Sequence, residues 1–177
     1  MAIQFFSKKD FVEMPWKNGG GVTTELFRLD DPKSSVFLFR LSIASIKTSG
    51  PFSNFLDIDR ILFLLDGKGF HLEGPTLKTS LEKNTPAFYF KGEDPINCTL
   101  IDGPCVDFNV MTSRHYAKST ISFKNVSEDA SIILRAQCDF RFIYDREAQE
   151  LYKLDLGDEL VIKGKNKTLI IIDVTTL

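Results

Sequence analysis

The fold is indicated most directly by the ten residues RILFLLDGKG at positions 60–69. After the opening arginine, the next five residues are apolar branched or aromatic residues, which is typical of a β-strand. The last four, at positions 66–69, have the glycine-rich composition of a tight turn between two strands. This stretch therefore predicts a β-hairpin.

Short runs of the same kind recur along the whole chain. They are rich in Ile, Val, Phe and Thr, and most are separated by Gly, Pro, Asp or Asn. The predicted strands are residues 22–29, 36–46, 61–65, 87–90, 98–102, 108–112, 131–136, 140–144, 159–163 and 169–174. Only residues 145–151 are compatible with a short helix. Many short strands with regular turns predict an all-β sandwich, jelly roll or barrel.

Composition and charge narrow the class of protein. A chain of 177 residues with 43% hydrophobic residues can bury a large core without disulfides. The net charge is −2, and acidic and basic residues are mixed along the chain without a basic patch, which argues against a nucleic-acid partner. The first ten residues lack the apolar stretch of a signal peptide, and the longest apolar run, at 169–172, is too short to cross a bilayer. We therefore expect a cytoplasmic protein with no membrane partner.

Cysteine and histidine do not have the spacing of a metal site. The three cysteines form no C-x-x-C pair, which argues against a disulfide framework and against zinc. The only histidines, His71 and His115, are far apart in the sequence. We therefore expect neither a metal nor another cofactor.

The chain divides into two parts at a polar stretch, residues 113–119, which follows one set of strands and precedes another. This pattern predicts one unit, residues 1–177, made of two fused β-lobes. The larger lobe would cover about 1–113, and the smaller about 114–177. The many phenylalanines in the strands are also compatible with a homodimer.

A glycine-rich motif, MPWKNGGGVTTE, occupies residues 14–25 and contains the only tryptophan. Ordering three consecutive glycines is entropically costly, so the backbone there needs positive φ or a close neighbour. Trp16 supplies a flat apolar surface, and Asn18 supplies an amide that can both donate and accept hydrogen bonds. Both suit contact with a small ligand. The alternative is a turn that leads into a strand, with Trp16 filling the core.

Arg60, Asp107 and Asn109 are polar residues within apolar strands. Arg60 is either at the rim, paired with Asp57 or Asp59, or inside, where its guanidinium can bind a carboxylate bidentately. Asp107 and Asn109 share one face of their strand. They would be pocket residues if that face points inward and ordinary solvent-facing residues if it points outward.

Three blocks of this sequence resemble the HutD/Ves family. The first is PWKNGGG at residues 15–21 with Thr23 and Glu25, and the second runs from residue 50 to residue 67. The third combines Gly103-Pro104 with DFNVM at residues 107–111. The blocks occur in the family's order over the first two-thirds of the chain, whereas the part after Ser119 is matched only by its strand pattern and one turn.

The resemblance implies a cupin-type β-barrel in a two-lobed, or bicupin, arrangement. It also implies that the metal-binding histidines of enzymatic cupins are missing. HutD-type members are associated with histidine utilisation and are thought to be regulatory or ligand-sensing proteins, and Ves-type members are linked to stress or cold response. The implied ligand is a small carboxylate, such as formylglutamate or urocanate.

In such a barrel, the inward faces of the strands line a pocket. Arg60 would hold the carboxylate, and either the ligand or Asp107 would neutralise its charge. Trp16 would stack on the ligand or close the pocket, and the glycines would offer backbone N–H groups. The resemblance thus implies ligand binding by Trp16, Asn18, Gly19, Gly20, Arg60, Asp107 and Asn109.

Three functions remain open from the sequence. The first is a metal-free carboxylate-binding protein that modulates histidine catabolism or a stress response. The second is a metal-independent enzyme acting on a similar acid, with Asp107, Glu25 and His115 as the only candidate bases. The third is a protein-interaction module. The sequence favours binding over catalysis, because no candidate base has a placed partner.

Overall fold

The structure is a computed structural model that describes residues 3–33 and 36–177. It consists mainly of strands, with one 3₁₀ turn at Lys8–Asp10. None of the helical segments it describes is long and apolar enough to span a membrane. The strands, numbered in chain order, are β1 (Gln4–Phe6), β2 (Val12–Pro15), β3 (Gly21–Asp30), β4 (Phe37–Ile46), β5 (Gly50–Pro51), β6 (Ile58–Asp66), β7 (Phe70–Gly74), β8 (Leu77–Leu81), β9 (Phe88–Lys91), β10 (Asn97–Leu100), β11 (Cys105–Ser113), β12 (Ala117–Val126), β13 (Ser131–Arg135), β14 (Phe140–Asp145), β15 (Glu150–Asp155), β16 (Glu159–Lys163) and β17 (Lys167–Thr176).

The chain forms two compact units, and the larger is Val12–His115. The smaller unit combines Tyr116–Leu177 with the residues up to Phe11. The sequence analysis placed the boundary near residue 113 and assigned the N-terminal residues to the larger lobe. They belong with the smaller unit because β1 pairs antiparallel with β15.

The larger unit contains two antiparallel sheets that share one core. The six-stranded sheet has the order β2-β3-β4-β11-β6-β9, and the four-stranded sheet has the order β5-β10-β7-β8. Leu62 of the first sheet packs in one buried cluster with Phe70 and Leu72 of the second. Apolar residues alternate along these strands, so each sheet has one face for this core. The arrangement confirms the predicted all-β, cupin-type fold.

The smaller unit is built in the same way. A five-stranded sheet, β1-β15-β14-β17-β12, accompanies the two-stranded sheet β13-β16. Leu134 and Ile162 of the two-stranded sheet pack with Ile143, Leu154 and Ile171 of the larger sheet. Each unit therefore has its own apolar core between two sheets.

The turn at residues 66–69 is not a hairpin, which corrects the opening prediction. Strand β6 lies in the six-stranded sheet, whereas β7 lies in the four-stranded one, so the turn carries the chain between sheets. Gly67 and Gly69 have φ values of +93° and +113°, where side chains are disfavoured. A β-carbon on Gly69 would lie 2.1 Å from the carbonyl oxygen of Leu81. Glycine is therefore required at this crossing.

All ten predicted strands are confirmed, but the short helix at 145–151 is not. Asp145 ends β14 and Glu150 begins β15, and the two strands pair across a tight turn. Asp145 holds that turn, because its Oδ1 accepts a hydrogen bond from the Ala148 N–H at 2.9 Å. The segment is thus a β-hairpin within the smaller unit.

Candidate functional site

Polar side chains line one face of the six-stranded sheet. In the register of β11, Asn109 lies opposite Ser42, and Met111 lies opposite both Arg40 and Arg60. Alternate residues of a strand point to the same side, so these residues share one face. Asn109 is only 7% exposed, so this polar face points into the unit. Of the two orientations considered from the sequence, the inward one is therefore correct.

This face forms the floor of a cavity of about 510 Å³ in the larger unit. Five of the seven predicted ligand-binding residues line it, namely Trp16, Asn18, Arg60, Asp107 and Asn109. Arg40, Ser42, Phe52 and Phe55 line it as well. The site therefore draws on several strands and on the segments that follow β2 and β5.

Arg60 lies inside the cavity, surrounded by aromatic rings. Its Cζ atom is 4.8 Å from the centroid of the Phe90 ring, 5.3 Å from that of Phe52 and 5.8 Å from that of Phe55. These distances allow cation–π attraction. Burial lowers the pKa of Arg60 to about 10, so the guanidinium remains charged at neutral pH.

The polar contacts of this guanidinium are weak. Arg60 Nε donates to Asn109 Oδ1, and Nη1 donates to the Ser53 carbonyl, both at 3.5 Å. These distances are at the upper limit for hydrogen bonds. Among the described residues, no carboxylate oxygen lies within 4 Å of the guanidinium. Arg60 is thus a buried cation (5% exposed) without a direct counter-ion.

The acidic residues near Arg60 in sequence are bound by another arginine. Arg114 Nε donates to Asp59 at 2.9 Å, and its Nη1 lies 3.7 Å from Asp57 Oδ1. Arg114 also pairs with Glu93 at 2.9 Å. The alternative in which Arg60 sits at the rim beside Asp57 or Asp59 is therefore wrong.

Asp107 is the second ionisable residue of the cavity that lacks a partner. Its exposed fraction is 2%, and Oδ1 has no hydrogen-bond partner in the part of the chain that the structure describes. Burial raises the pKa of Asp107 to about 7, and the nearby charge of Arg60 opposes that rise. The carboxyl group therefore changes charge near neutral pH.

A second arginine in the cavity, Arg40, does have a counter-ion. Arg40 Nε lies 2.6 Å from Glu25 Oε2, and the two side chains are 12% and 16% exposed. Arg40 Nη1 is also 3.8 Å from the sulfur of Met111. Because Glu25 is engaged in this ion pair, it is a poor candidate for a free base.

Trp16 forms a fixed wall of the cavity. Its Nε1–H donates to Thr23 Oγ1 at 2.8 Å. The ring also lies against the backbone of Gly21, where an added β-carbon would be 3.1 Å from Trp16 Cδ2. The absence of a side chain at Gly21 therefore lets the indole pack flat on β3.

Gly19 and Gly20 shape the loop and do not line the cavity. The Gly19 N–H donates to the Trp16 carbonyl and the Gly20 N–H to Asn18 Oδ1, both at 2.9 Å. Gly19 has a φ of +71°, which favours glycine. The expectation that these two N–H groups hold an anion is therefore corrected, because both already have partners.

The histidines lie outside the cavity lining. His115 is exposed, with Nε2 3.7 Å from Asp57 Oδ1, and His71 Nδ1 is 2.6 Å from Ser80 Oγ. Within residues 3–33 and 36–177, no three His, Cys, Asp or Glu side chains are grouped as a metal site would require. Of the three candidate bases, only Asp107 lines the cavity.

The sequence analysis missed Arg40, Ser42, Phe52 and Phe55. Strand β4 alternates Phe39 and Leu41 with the more polar Arg40 and Ser42, and this alternation was a usable signal for a polar face. Phe52 and Phe55 follow the two-residue strand β5 and have no periodic pattern. Their contact with Arg60 depends on tertiary structure alone.

Comparison with known proteins gives consistent matches. A protein-family model described as HutD matches residues 8–175. A Pseudomonas putida protein, described as an uncharacterised 21.2 kDa protein in the hutC 3′ region, is 31% identical over 173 residues, covering 94% of this chain and 90% of its own. Protein Ves of Cronobacter sakazakii is 36% identical over 121 residues, covering 67% of this chain and 65% of its own.

The same similarity is found among solved structures. HutD from Pseudomonas fluorescens SBW25, solved in a formate condition, superposes with a TM-score of 0.80 at 27% identity. The superposition covers 99% of this chain and 100% of that chain. The similarity therefore extends over both units.

Proposed function

This chain belongs to the HutD family, and we propose that it is a metal-free binding protein for a small carboxylate. The observation that carries the proposal is the buried guanidinium of Arg60, which faces a cavity and has no carboxylate within 4 Å among the described residues. A guanidinium presents parallel N–H groups that match the two oxygens of a carboxylate.

The energetics favour an anionic ligand. A buried cation without a counter-ion is destabilising, because the protein interior solvates charge poorly. The aromatic rings around Arg60 offset part of that cost, typically about 0.5–2 kcal/mol for each cation–π contact. A carboxylate in the cavity would neutralise the charge and add two hydrogen bonds.

The size and walls of the cavity favour a small organic acid. Its volume of about 510 Å³ falls within the range typical of small-molecule sites. Trp16 and Phe52 provide flat apolar surfaces for a planar or short carbon skeleton. Asn18 and Asn109 add amide groups that can bind a carbonyl or formyl oxygen.

The family connects this chemistry with histidine utilisation. Formylglutamate and urocanate are carboxylates of that pathway with carbonyl or planar groups that suit these walls. The HutD structure from Pseudomonas fluorescens was solved in a formate condition, and formate is a small carboxylate. The proposed role is to bind such an acid and modulate histidine catabolism or a stress response.

The test is calorimetric titration of formate, formylglutamate and urocanate into the wild type and Arg60→Met. We expect at least one acid to bind the wild type and to lose at least tenfold in affinity in the variant. Arg28→Met is the matched control, because Arg28 lies over the Phe37 ring at 5.4 Å and does not line the cavity. Equal affinity in wild type and Arg60→Met would refute the proposal.

A second candidate function is a metal-independent enzyme that acts on the same acid. The observation that favours it is Asp107, whose buried carboxyl group lines the cavity, has a pKa of about 7 and has no hydrogen-bond partner at Oδ1 among the described residues. A general base with such a pKa is suited to proton transfer at neutral pH. Turnover of formylglutamate or urocanate that is lost in Asp107→Asn would support catalysis, and unchanged substrate after prolonged incubation would refute it.

A further inference from the structure

The unpartnered oxygen of Asp107 identifies a second recognition point in the cavity. Buried polar atoms in proteins almost always have hydrogen-bond partners, so the Asp107 carboxyl group needs a donor from elsewhere, because the residue is 2% exposed and its Oδ1 has no partner among the described residues. Its cross-strand neighbours are Ala44 on β4 and Leu64 on β6, whose side chains have no polar hydrogen. The missing donor is therefore not supplied by these strands.

Asp107 and Arg60 occupy separate positions on the same face. Arg60 lies opposite Met111, four residues along β11 from Asp107, which is a backbone offset of about 13 Å. Asn109 lies between them, and its Oδ1 faces Arg60 Nε at 3.5 Å. The guanidinium and the Asp107 carboxyl group therefore do not satisfy each other.

We propose that Asp107 is a specificity-determining residue that accepts a hydrogen bond from an N–H group of the ligand whose carboxylate is held by Arg60. This inference rests on the proposed function. The ligand class is a carboxylic acid that also carries a nitrogen donor, such as an amide, an imidazole or an amine.

The charges of the cavity support an N–H donor. Arg60 and the ligand carboxylate neutralise each other, and Arg40 is neutralised by Glu25. Among the described residues, Asp107 Oδ1 is then the buried side-chain oxygen that still lacks a donor. When Asp107 is ionised, a ligand with an acceptor oxygen at this position would face a carboxylate oxygen, which repels it. The cavity would therefore discriminate strongly between an N–H group and an isosteric oxygen.

The experiment compares N-acetylglycine with acetoxyacetate, which differ only by N–H in place of an ester oxygen. At pH 8.5, where Asp107 is ionised, calorimetry of the wild type should show N-acetylglycine binding at least tenfold more tightly. In Asp107→Asn, whose side chain can donate as well as accept, the two affinities should agree within about threefold. Asp66→Asn, at the exposed end of β6, is the matched control and should keep the wild-type ratio.

Formate separates failure of this inference from failure of the proposed function. Formate has no N–H group, so Arg60→Met should lose affinity for it, whereas Asp107→Asn should bind it at least as tightly as the wild type. If formate behaves in this way but the wild type binds the two larger probes equally, the role of Asp107 is refuted and that of Arg60 survives. If neither these three acids nor formylglutamate nor urocanate binds the wild type, both are refuted.

A second variant guards against misfolding. If Asp107→Asn does not fold, Asp107→Ala provides the same comparison, because alanine offers neither donor nor acceptor. The ratio between N-acetylglycine and acetoxyacetate should again fall to within about threefold. A ratio of tenfold or more in a folded Asp107 variant would overturn the inference.

Discussion

Arg60 and Asp107 line the same cavity without forming an ion pair, although they are only 5% and 2% exposed. Each charge affects the pKa of the other, but burial has the larger effect on both residues. Natural proteins often tolerate such strain at binding sites, where a ligand relieves it. This relationship has consequences for stability, for its pH dependence and for formate binding.

Removing the charge of Arg60 should not destabilise the ligand-free protein. Arg60→Met keeps an unbranched apolar stem against the phenylalanine rings and removes a buried cation without a direct counter-ion. We expect the free energy of unfolding, measured by urea denaturation at pH 6, to stay within about 1 kcal/mol of wild type or to rise. A loss above about 3 kcal/mol would mean that Arg60 is mainly structural.

Asp107 should lower the stability of the wild type as the pH rises. Its pKa in the folded state, about 7, is above the ordinary value of the unfolded chain, so between these values the folded state keeps a proton that the unfolded state has lost. The contribution of Asp107 to the free energy of unfolding is therefore greatest below about pH 4 and decreases as the pH rises to 7. Asp107→Asn does not titrate. The free energy of unfolding of Asp107→Asn minus that of the wild type should therefore increase by about 3 kcal/mol between pH 5 and pH 8.

Urea denaturation of both proteins at these two pH values measures this difference directly. Asp66→Asn serves as the control, because Asp66 is exposed at the end of β6. If the difference between Asp107→Asn and wild type is the same at pH 5 and pH 8, Asp107 has an ordinary pKa.

Binding of formate should weaken above pH 7. Ionised Asp107 places a negative charge in the cavity, which repels a second anion, so affinity should fall by up to about tenfold per pH unit above its pKa. Calorimetry between pH 6 and pH 8.5 would measure this slope, and Asp107→Asn should show none. An equally steep slope in that variant would assign the effect to another group.

The neighbouring ionisable groups do not account for such a slope. Burial raises the pKa of both nearby thiols to about 12, and the pKa of Arg60 is about 10. These groups therefore keep one charge state from pH 6 to pH 8.5. The ionisable groups around the cavity are Lys17 after β2, Arg60 on β6, Arg40 on β4 with its partner Glu25 on β3, Cys98 on β10 and Cys105 on β11.

Gly21 should not tolerate a side chain. A β-carbon there would lie 2.4 Å from the Ser45 carbonyl oxygen and 3.1 Å from the Trp16 ring. Gly21→Ala should lose about 1–3 kcal/mol of stability and change the fluorescence of the only tryptophan. Gly50→Ala is the control, because no heavy atom lies within 4 Å of its added β-carbon. Wild-type fluorescence and stability in Gly21→Ala would contradict the packing described for Trp16.

The predictable part of the fold was the strands rich in large apolar side chains. Strands such as Phe37–Ile46 and Phe140–Asp145 bury large side chains, so their sequences show the pattern clearly. Strand β12, Ala117–Val126, was missed because it is at the edge of its sheet and most of its residues are exposed. A polar strand of this kind cannot be distinguished from a loop by composition.

The site was predictable only in its residue types. Asp107 and Asn109 could be placed on one face from the period of two, but the choice between inward and outward depended on the whole sheet. The partner of Asp59 is Arg114, 55 positions along the chain, and local sequence instead suggested Arg60. The turn at residues 66–69 was misassigned as a hairpin for the same reason, because the sheet that each flanking strand joins depends on strands distant in the sequence.

The most direct test of the central claim is a crystal structure of the protein with a bound acid, using urocanate or the tightest binder from calorimetry. We predict electron density in the cavity beside Trp16, with both carboxylate oxygens within about 3.1 Å of nitrogen atoms of Arg60. Density at another site, with Arg60 still lacking a counter-ion, would contradict the claim that this residue binds the ligand.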